Sequence, residues 1–216
     1  MAKIKICKNG PYILSGSIPV NQQKTILDLE GVPEKTEVTK NICCDEEIAL
    51  CRCGSSENKP FCDGTHRKNG FDGTENTKNL TEDPSDTEVF TGPSLNLQDT
   101  PRLCSGAGFC HRAGGVWDLT KDSDNPKSKK IAIEECHCCP SGRLIAIDPK
   151  TNKPIEDQVD PSVGVDLFGP LNVSGEVKIE SADGKIYPHR PRRALCRCGK
   201  SRNKPFCDGS HFDNEK

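Results

Sequence analysis

Cys51-Arg52-Cys53-Gly54-Ser55-Ser56-Glu57-Asn58-Lys59-Pro60-Phe61-Cys62-Asp63-Gly64-Thr65-His66 is written a second time in the chain, as Cys196-Arg197-Cys198-Gly199-Lys200-Ser201-Arg202-Asn203-Lys204-Pro205-Phe206-Cys207-Asp208-Gly209-Ser210-His211, with thirteen of sixteen positions identical. Each copy offers three thiols and one imidazole at the spacing C-x-C-x8-C-x3-H. Three thiolates and an imidazole suit tetrahedral zinc and iron in a cluster alike, so the donor set alone does not choose between them. The one-residue gap of the first pair is tighter than the C-x2-4-C of a structural zinc knot. Two neighbouring thiolates can sit on one iron while Cys62 and His66 hold the other. Asp63 is placed to cap a short helix, with Gly64 allowing close backbone approach, so that His66 stands on its first turn. Pro60 and Pro205 stiffen the loop before the third Cys.

Upstream of each copy lies a weaker repeat, Gly10-Pro11-Tyr12-Ile13-Leu14-Ser15-Gly16-Ser17-Ile18 and Gly169-Pro170-Leu171-Asn172-Val173-Ser174-Gly175-Glu176-Val177. Both read as a Gly-Pro turn entering a short strand that breaks at Ser-Gly. The repeated unit is a β-element followed by a Cys/His loop, once at each end of 216 residues. Ile, Leu, Val and Phe make up only about a fifth of the chain, too few for one large apolar core. The net charge of −2 does not force disorder. Fourteen Cys in tight groups are the remaining means of holding a fold. Met1 to Gly10 shows no apolar signal region, and no apolar stretch approaches the ~20 residues of a bilayer crossing. The expectation is a cytoplasmic protein in a reducing compartment, with thiolates on metal rather than disulfides and no membrane partner.

Between the repeats, residues 67 to about 100 are rich in Asn, Asp, Thr, Glu and Gly and read as a polar linker. Residues 102–148 form a third unit holding Cys104, Cys110, Cys136, Cys138, Cys139 and the single Trp117, which packs its small core. Within it, 121–130 reads as a solvent loop, 131–133 and 144–147 as short strands, and 109–116 as a possible helix. The expected division is 1–72 and 169–216 for the repeated modules, 73–101 and 149–168 for linkers, and 102–148 for the middle unit. Residues 185–204 carry eight Lys or Arg and no acid. With no aromatic stacking set beside them they do not read as a nucleic-acid surface, but as charges that offset anionic clusters and help a partner dock. Cys7, Cys43 and Cys44 fit no ligand pattern, and His189 reads as a surface residue.

The pattern C-x-C-x2-[ST]-x3-P-x-C-D-G-[ST]-H resembles that of the CDGSH iron–sulfur family, the NEET proteins, and both copies satisfy it in full. The resemblance implies one [2Fe-2S] cluster per motif, with Cys51, Cys53, Cys62 and His66 as ligands in the first and Cys196, Cys198, Cys207 and His211 in the second. Family members are homodimers that combine a β-cap and a cluster-binding region from two chains. This chain carries both halves, which implies a small, metal-stabilised α+β fold in which the modules pair within one monomer as a pseudo-twofold unit. The expectation is a form with no membrane anchor before the first motif and with a short helix after the second, five residues following His211. In the middle, Cys104-Ser105-Gly106-Ala107-Gly108-Phe109-Cys110 with Cys139-Pro140 resembles a divergent mono-cluster ferredoxin whose middle Cys is replaced by Ala107. That implies a [3Fe-4S] cluster on Cys104, Cys110 and Cys139, or a [4Fe-4S] cluster with a fourth ligand from Cys136, Cys138, His111 or His137; the alternative is a unit that has lost its cluster.

An imidazole in place of a thiolate removes one negative charge, so reduction becomes easier than in an all-Cys site. The same imidazole titrates near neutrality and can break its iron bond when protonated. Two functions follow: electron transfer with a redox partner, which the three-unit layout favours, or delivery of [2Fe-2S] units to an apo-acceptor. A redox or iron sensor is a third. No nucleophile, base or substrate pocket is evident, which points to a carrier rather than an enzyme.

Overall fold

A computed structural model describes residues 2–77 and 86–214. Along the chain run β1 (Lys3–Ile6), β2 (Tyr12–Ser15), β3 (Val20–Leu27), β4 (Pro33–Cys43), β5 (Glu47–Leu50), β6 (Glu88–Thr91), β7 (Asn96–Asp99), α1 (Val116–Lys121), α2 (Pro126–Cys138), β8 (Leu144–Asp148), β9 (Lys153–Pro154), β10 (Ser162–Asp166), β11 (Leu171–Ser174), β12 (Lys178–Glu180) and β13 (Arg192–Leu195). The Gly10-Pro11 turn is closed by Cys7 N–H donating to the Pro11 carbonyl at 3.0 Å. It sends β2 back along β1 with Ile4 opposite Leu14. Alternation then puts Ile4, Ile6, Tyr12 and Leu14 inside, the period of two that a half-covered strand requires.

The two repeats exchange strands. β1, β2 and β5 form a sheet whose outer member is β12 of the other repeat, parallel to β1 with Ile4 opposite Ile179. Reciprocally, β10, β11 and β13 are flanked by β3, parallel to β10 with Val163 opposite Val20, and β4 lies outside β3. A single apolar cluster therefore draws Ile4, Leu14 and Val20 from one end of the chain and Val163, Leu171 and Ile179 from the other. Tyr12, fully buried, donates its hydroxyl to the carbonyls of Cys196 (2.8 Å) and Pro205 (3.1 Å) across this interface.

The middle unit departs from the sequence reading. The span 73–101, expected as linker, contains β6 and β7, and β7 pairs with β8 so that Leu97 faces Ala146. Leu95 and Leu97 are fully buried, and Leu97 gives β7 the inward-facing side chain that a strand needs. The span 149–168 likewise holds β9 and β10. Residues 126–130 are helical rather than a loop, because Asn125 accepts from Lys127 N–H at 3.0 Å and Pro126 occupies the first turn. Ile131 to Ile133 continue that helix: Ser128, Ala132, Glu135 and Cys136 are its buried positions, a spacing of three and four that overrides the apparent alternation. The helix expected over 109–116 is instead a pair of 3-10 turns within Phe109–Gly114, interrupted at extended Arg112 and left-handed Ala113 (φ +47), before Gly115 leads into α1.

One element had no counterpart in the reading. The β3–β4 hairpin is an arm that reaches the middle unit, where Arg112 lies 3.8 Å from Glu34 and Cys138 Sγ donates to the Glu34 carbonyl at 3.5 Å. Among the described residues no helix is long and apolar enough to cross a membrane.

Candidate metal centres

Each Cys/His loop hangs from the last strand of its repeat and folds back on it. Cys51 N–H donates to the Pro60 carbonyl (2.8 Å) and Cys62 N–H to the Ala49 carbonyl (2.9 Å); Cys196 to Pro205 and Cys207 to Ala194 repeat this at 2.8 Å each. The loop interior is held by Ser56 donating to the Phe61 carbonyl at 2.6 Å and by Ser201 donating to that of Phe206 at 2.7 Å. Asp63 accepts from the backbone N–H of Thr65 (2.9 Å) and of Glu57 (2.8 Å), and those donors hold its carboxyl well below the usual range. It thereby sets the 3-10 turn Thr65–Arg67 that carries His66. Gly64 has φ +86, and a Cβ there would meet nothing within 4 Å. Its glycine serves a left-handed turn, not the close approach expected from the sequence.

The donors come together in pairs. Cys51 and Cys53 Sγ are 3.8 Å apart, and Cys196 and Cys198 Sγ 3.7 Å. His66 Nδ1 faces Cys62 Sγ, and His211 Nδ1 faces Cys207 Sγ, each at 3.4 Å. Two thiolates at ~2.3 Å from one tetrahedral metal lie about 3.8 Å apart, and a thiolate with an imidazole about 3.5 Å apart. Each pair thus fits one metal atom. One such pair on each iron is the arrangement that a two-iron centre would take. The hydrogen bond with Cys196 holds the Cys198 thiol below the usual thiol range, while burial pushes Cys207 up to about 12.

Two features beyond the paired donors shape these sites. Gly54 (φ +81) and Gly199 (φ +78) cross: a Cβ on Gly54 would sit 2.5 Å from the Cys198 carbonyl oxygen, and one on Gly199 2.8 Å from that of Cys53. The Arg inside each C-x-C is buried and directed at carbonyls. Arg52 donates to Gly73 (2.7 Å) and Cys7 (3.3 Å) with its guanidinium 5.5 Å over the Tyr12 ring; Arg197 donates to Leu167 (2.7 Å) and Gly169 (3.2 Å). The identity of this Arg in both copies was the signal for that role.

In the middle unit Cys104, Cys110 and Cys139 line one small pocket together with Ala107. Burial, with Cys139 beside it, pushes the Cys110 thiol up to about 11. The four candidates for a further ligand separate. Cys138 points to Glu34; His137 has Nε2 at the Ile155 carbonyl (2.9 Å) and Nδ1 at Asp157 (3.1 Å); His111 is exposed, its ring 6.3 Å from that of Trp117. Cys136, fully buried, shares the core cluster of Cys139 and Cys110. Trp117 packs on that core and donates to Asp99 at 3.1 Å.

The basic run at 185–204 turns inward. Arg190, Arg192, Arg193, Arg197 and Lys204 are buried, so these residues do not form the docking surface expected of them. Arg190 donates to the Gly142 carbonyl at 2.6 Å, and Arg192 to the Cys139 carbonyl at 2.9 Å and, in a fork, to Glu156 at 2.7 and 2.8 Å. Cys44 donates to the Ser17 carbonyl at 3.2 Å, Cys7 lines a shallow pocket near Cys62 and His66, and His189 is exposed.

Residues 9–67 and 168–212 match the family model of the iron-binding zinc finger, CDGSH type, and residues 90–149 that of the divergent 4Fe-4S mono-cluster. The chain is 47% identical over 36 residues to the mouse (Mus musculus) CDGSH iron-sulfur domain-containing protein 3, mitochondrial, a match covering 17% of this chain and 22% of the mouse protein. The chain thus spans about a fifth of that relative's length. No solved structure matches the chain significantly.

Proposed function

From the premise that this is an iron–sulfur protein with two CDGSH-type segments flanking a divergent 4Fe-4S mono-cluster segment, we propose that it carries electrons, holding one [2Fe-2S] cluster at each Cys/His loop and a [3Fe-4S] or [4Fe-4S] cluster at the middle cysteines. The observation that carries this reading is the pairing of donors, two thiols at 3.7 to 3.8 Å and a thiol with a ring nitrogen at 3.4 Å, repeated in both loops. When bound, such clusters supply one-electron redox chemistry. The chain's part is to orient Nδ1 of His66 and His211 toward the metal, to keep the Cys51–Cys53 and Cys196–Cys198 pairs at single-iron spacing, and to set buried Arg197 beside Cys51 and Cys198, where it opposes their negative charge. The carrier works as a monomer and meets a redox partner protein.

Anaerobic assay of iron, acid-labile sulfide and zinc per chain, with EPR before and after reduction, tests this. About four iron with matching sulfide account for the two loops, and about seven or eight for a filled middle site as well. Zinc without sulfide overturns the reading.

Cluster delivery is the second reading, and one observation favours it at the N-terminal loop alone. Cys62 and His66 are only half-buried, whereas Cys207 and His211 are buried. Replacing His66 by Cys separates the two: a carrier keeps its electron uptake, and a donor loses release to an apo-acceptor.

A further inference from the structure

The tandem sites are not equivalent in the molecule. Position for position, the approach to the C-terminal loop carries Arg190 and Arg192 where that of the N-terminal loop carries Asp45 and Glu47. The residue after the histidine is Phe212 in one and Arg67 in the other. These differing residues hold the middle unit, together with Asn203, which the N-terminal loop matches with Asn58. Arg192, on the strand that leads into Cys196, binds the carbonyl of Cys139. Arg190 binds Gly142, and also the Thr100 hydroxyl at 3.2 Å. Asn203 of the C-terminal loop donates to the Arg102 carbonyl at 3.1 Å.

The two metal loops then meet face to face. A Cβ on Gly106 would lie 2.6 Å from the Phe212 ring, and that ring lies 4.1 Å, centroid to centroid, from His211. Ser105, Ala107 and His211 line one shared cleft. On its other side the C-terminal loop crosses the N-terminal one at Gly54 and Gly199. The N-terminal repeat touches the middle unit through Pro33 and Glu34 of its hairpin arm.

We infer that the C-terminal loop is the junction of the three centres: Arg190, Arg192 and Phe212 dock the middle cysteines against it, the N-terminal loop is the outward terminal, and electrons pass between middle and N-terminal sites by way of Cys207 and His211. This rests on the electron-carrier reading. One electron leaves the middle centre, oxidising it by one, and reduces the C-terminal centre by one; the same exchange repeats to the N-terminal centre, and no bond forms or breaks. A one-electron donor protein at one end and an acceptor protein at the other close the balance.

The test is EPR power saturation of the reduced middle centre in the cluster-loaded full chain. Cys198→Ser, which empties the C-terminal site, is expected to lower the half-saturation power severalfold, while Cys53→Ser at the equivalent N-terminal position leaves it unchanged. An effect of Cys53→Ser alone, no effect of either, or a middle site that holds no cluster overturns the inference. Should Cys198→Ser fail to fold, Phe212→Arg inserts the other repeat's own residue at a half-exposed position, and weakened coupling with full iron content is expected; unchanged coupling counts against the docking. If the coupling pattern holds but flash reduction of the middle centre is followed by no electron redistribution, the carrier reading falls and the route with it.

Discussion

Four glycines, at two equivalent positions of the two loops, have positive φ, yet they answer to different demands. Gly54 and Gly199 let the loops cross, and an added Cβ would strike backbone carbonyl oxygens that cannot swing away. Gly54→Ala is expected to separate the loops and lower the iron content of both; an unchanged visible spectrum and melting temperature would contradict this. At Gly64 an added Cβ meets open space, so Gly64→Ala pays only for its backbone, about 1 to 2 kcal/mol, and should keep its clusters. A different residue-scale cost lies in Glu135, fully buried, 4.0 Å from Arg112, with neither carboxylate oxygen hydrogen-bonded. Burial raises it from 4.5 to about 7. An acid held more tightly protonated in the folded state contributes fully below about 4.5, and that contribution is lost as pH rises through about 7. Glu135→Gln should therefore be more stable than the parent at pH 8, by about 1 to 3 kcal/mol, with the gap narrowing as pH falls below about 7 and closing near 4.5 in denaturant titrations. The paired Cys and His donors were legible because they fall within sixteen residues of sequence; Glu135 was not, since nothing in Glu-Glu-Cys says which carboxylate turns inward.

At the scale of elements, what the sequence hid was contact between distant pieces. The span 131–133 alternates like a strand, and only Asn125 with Pro126 and the spacing of Ser128, Ala132 and Cys136 reveal the helix. Strands β6 and β7 are short and polar on one side, and read as linker until β8 covers them. The arginines of β13 present the same problem in charge: a basic run looks like surface when its partners are carbonyls fifty residues away. Arg192 holds Glu156 and the Cys139 carbonyl while nearly buried. Its replacement by Met leaves a largely buried carboxylate unpaired, which costs about 3 to 5 kcal/mol. Lys3→Ala, which loses an exposed ion pair with Glu180, should cost under about 1 kcal/mol. Urea unfolding of the two variants side by side checks this, and equal midpoints would show that β13 does not hold the middle unit in place.

For the whole molecule, the repeat foretold that two modules could pair, and the exchange of β3 and β12 shows how they do so. Each sheet is incomplete without a strand from the other end of the chain, and each places that strand parallel, beside β10 and β1 respectively. Parallel neighbours need a long connection, and here the middle unit and its flanking strands supply it. The apolar cluster is shared: Ile179 of β12 packs with Ile4, and Val20 of β3 with Val163. Neither half buries its apolar faces alone, so the halves must find each other either within a chain or between two chains. Within a chain, the linked partner has an effective concentration on the order of millimolar, and the hydrogen bonds of Arg190, Arg192 and Asn203 fix its orientation. Light scattering of the cluster-loaded protein should therefore give the mass of one chain, 23.6 kDa plus its clusters, unchanged on dilution. A chain cut within the middle unit should hold together without denaturant, because the exchanged strands bind the halves. A mass of two chains that falls on dilution would mean that the strands are traded between molecules, and the pseudo-twofold pairing would then belong to a dimer.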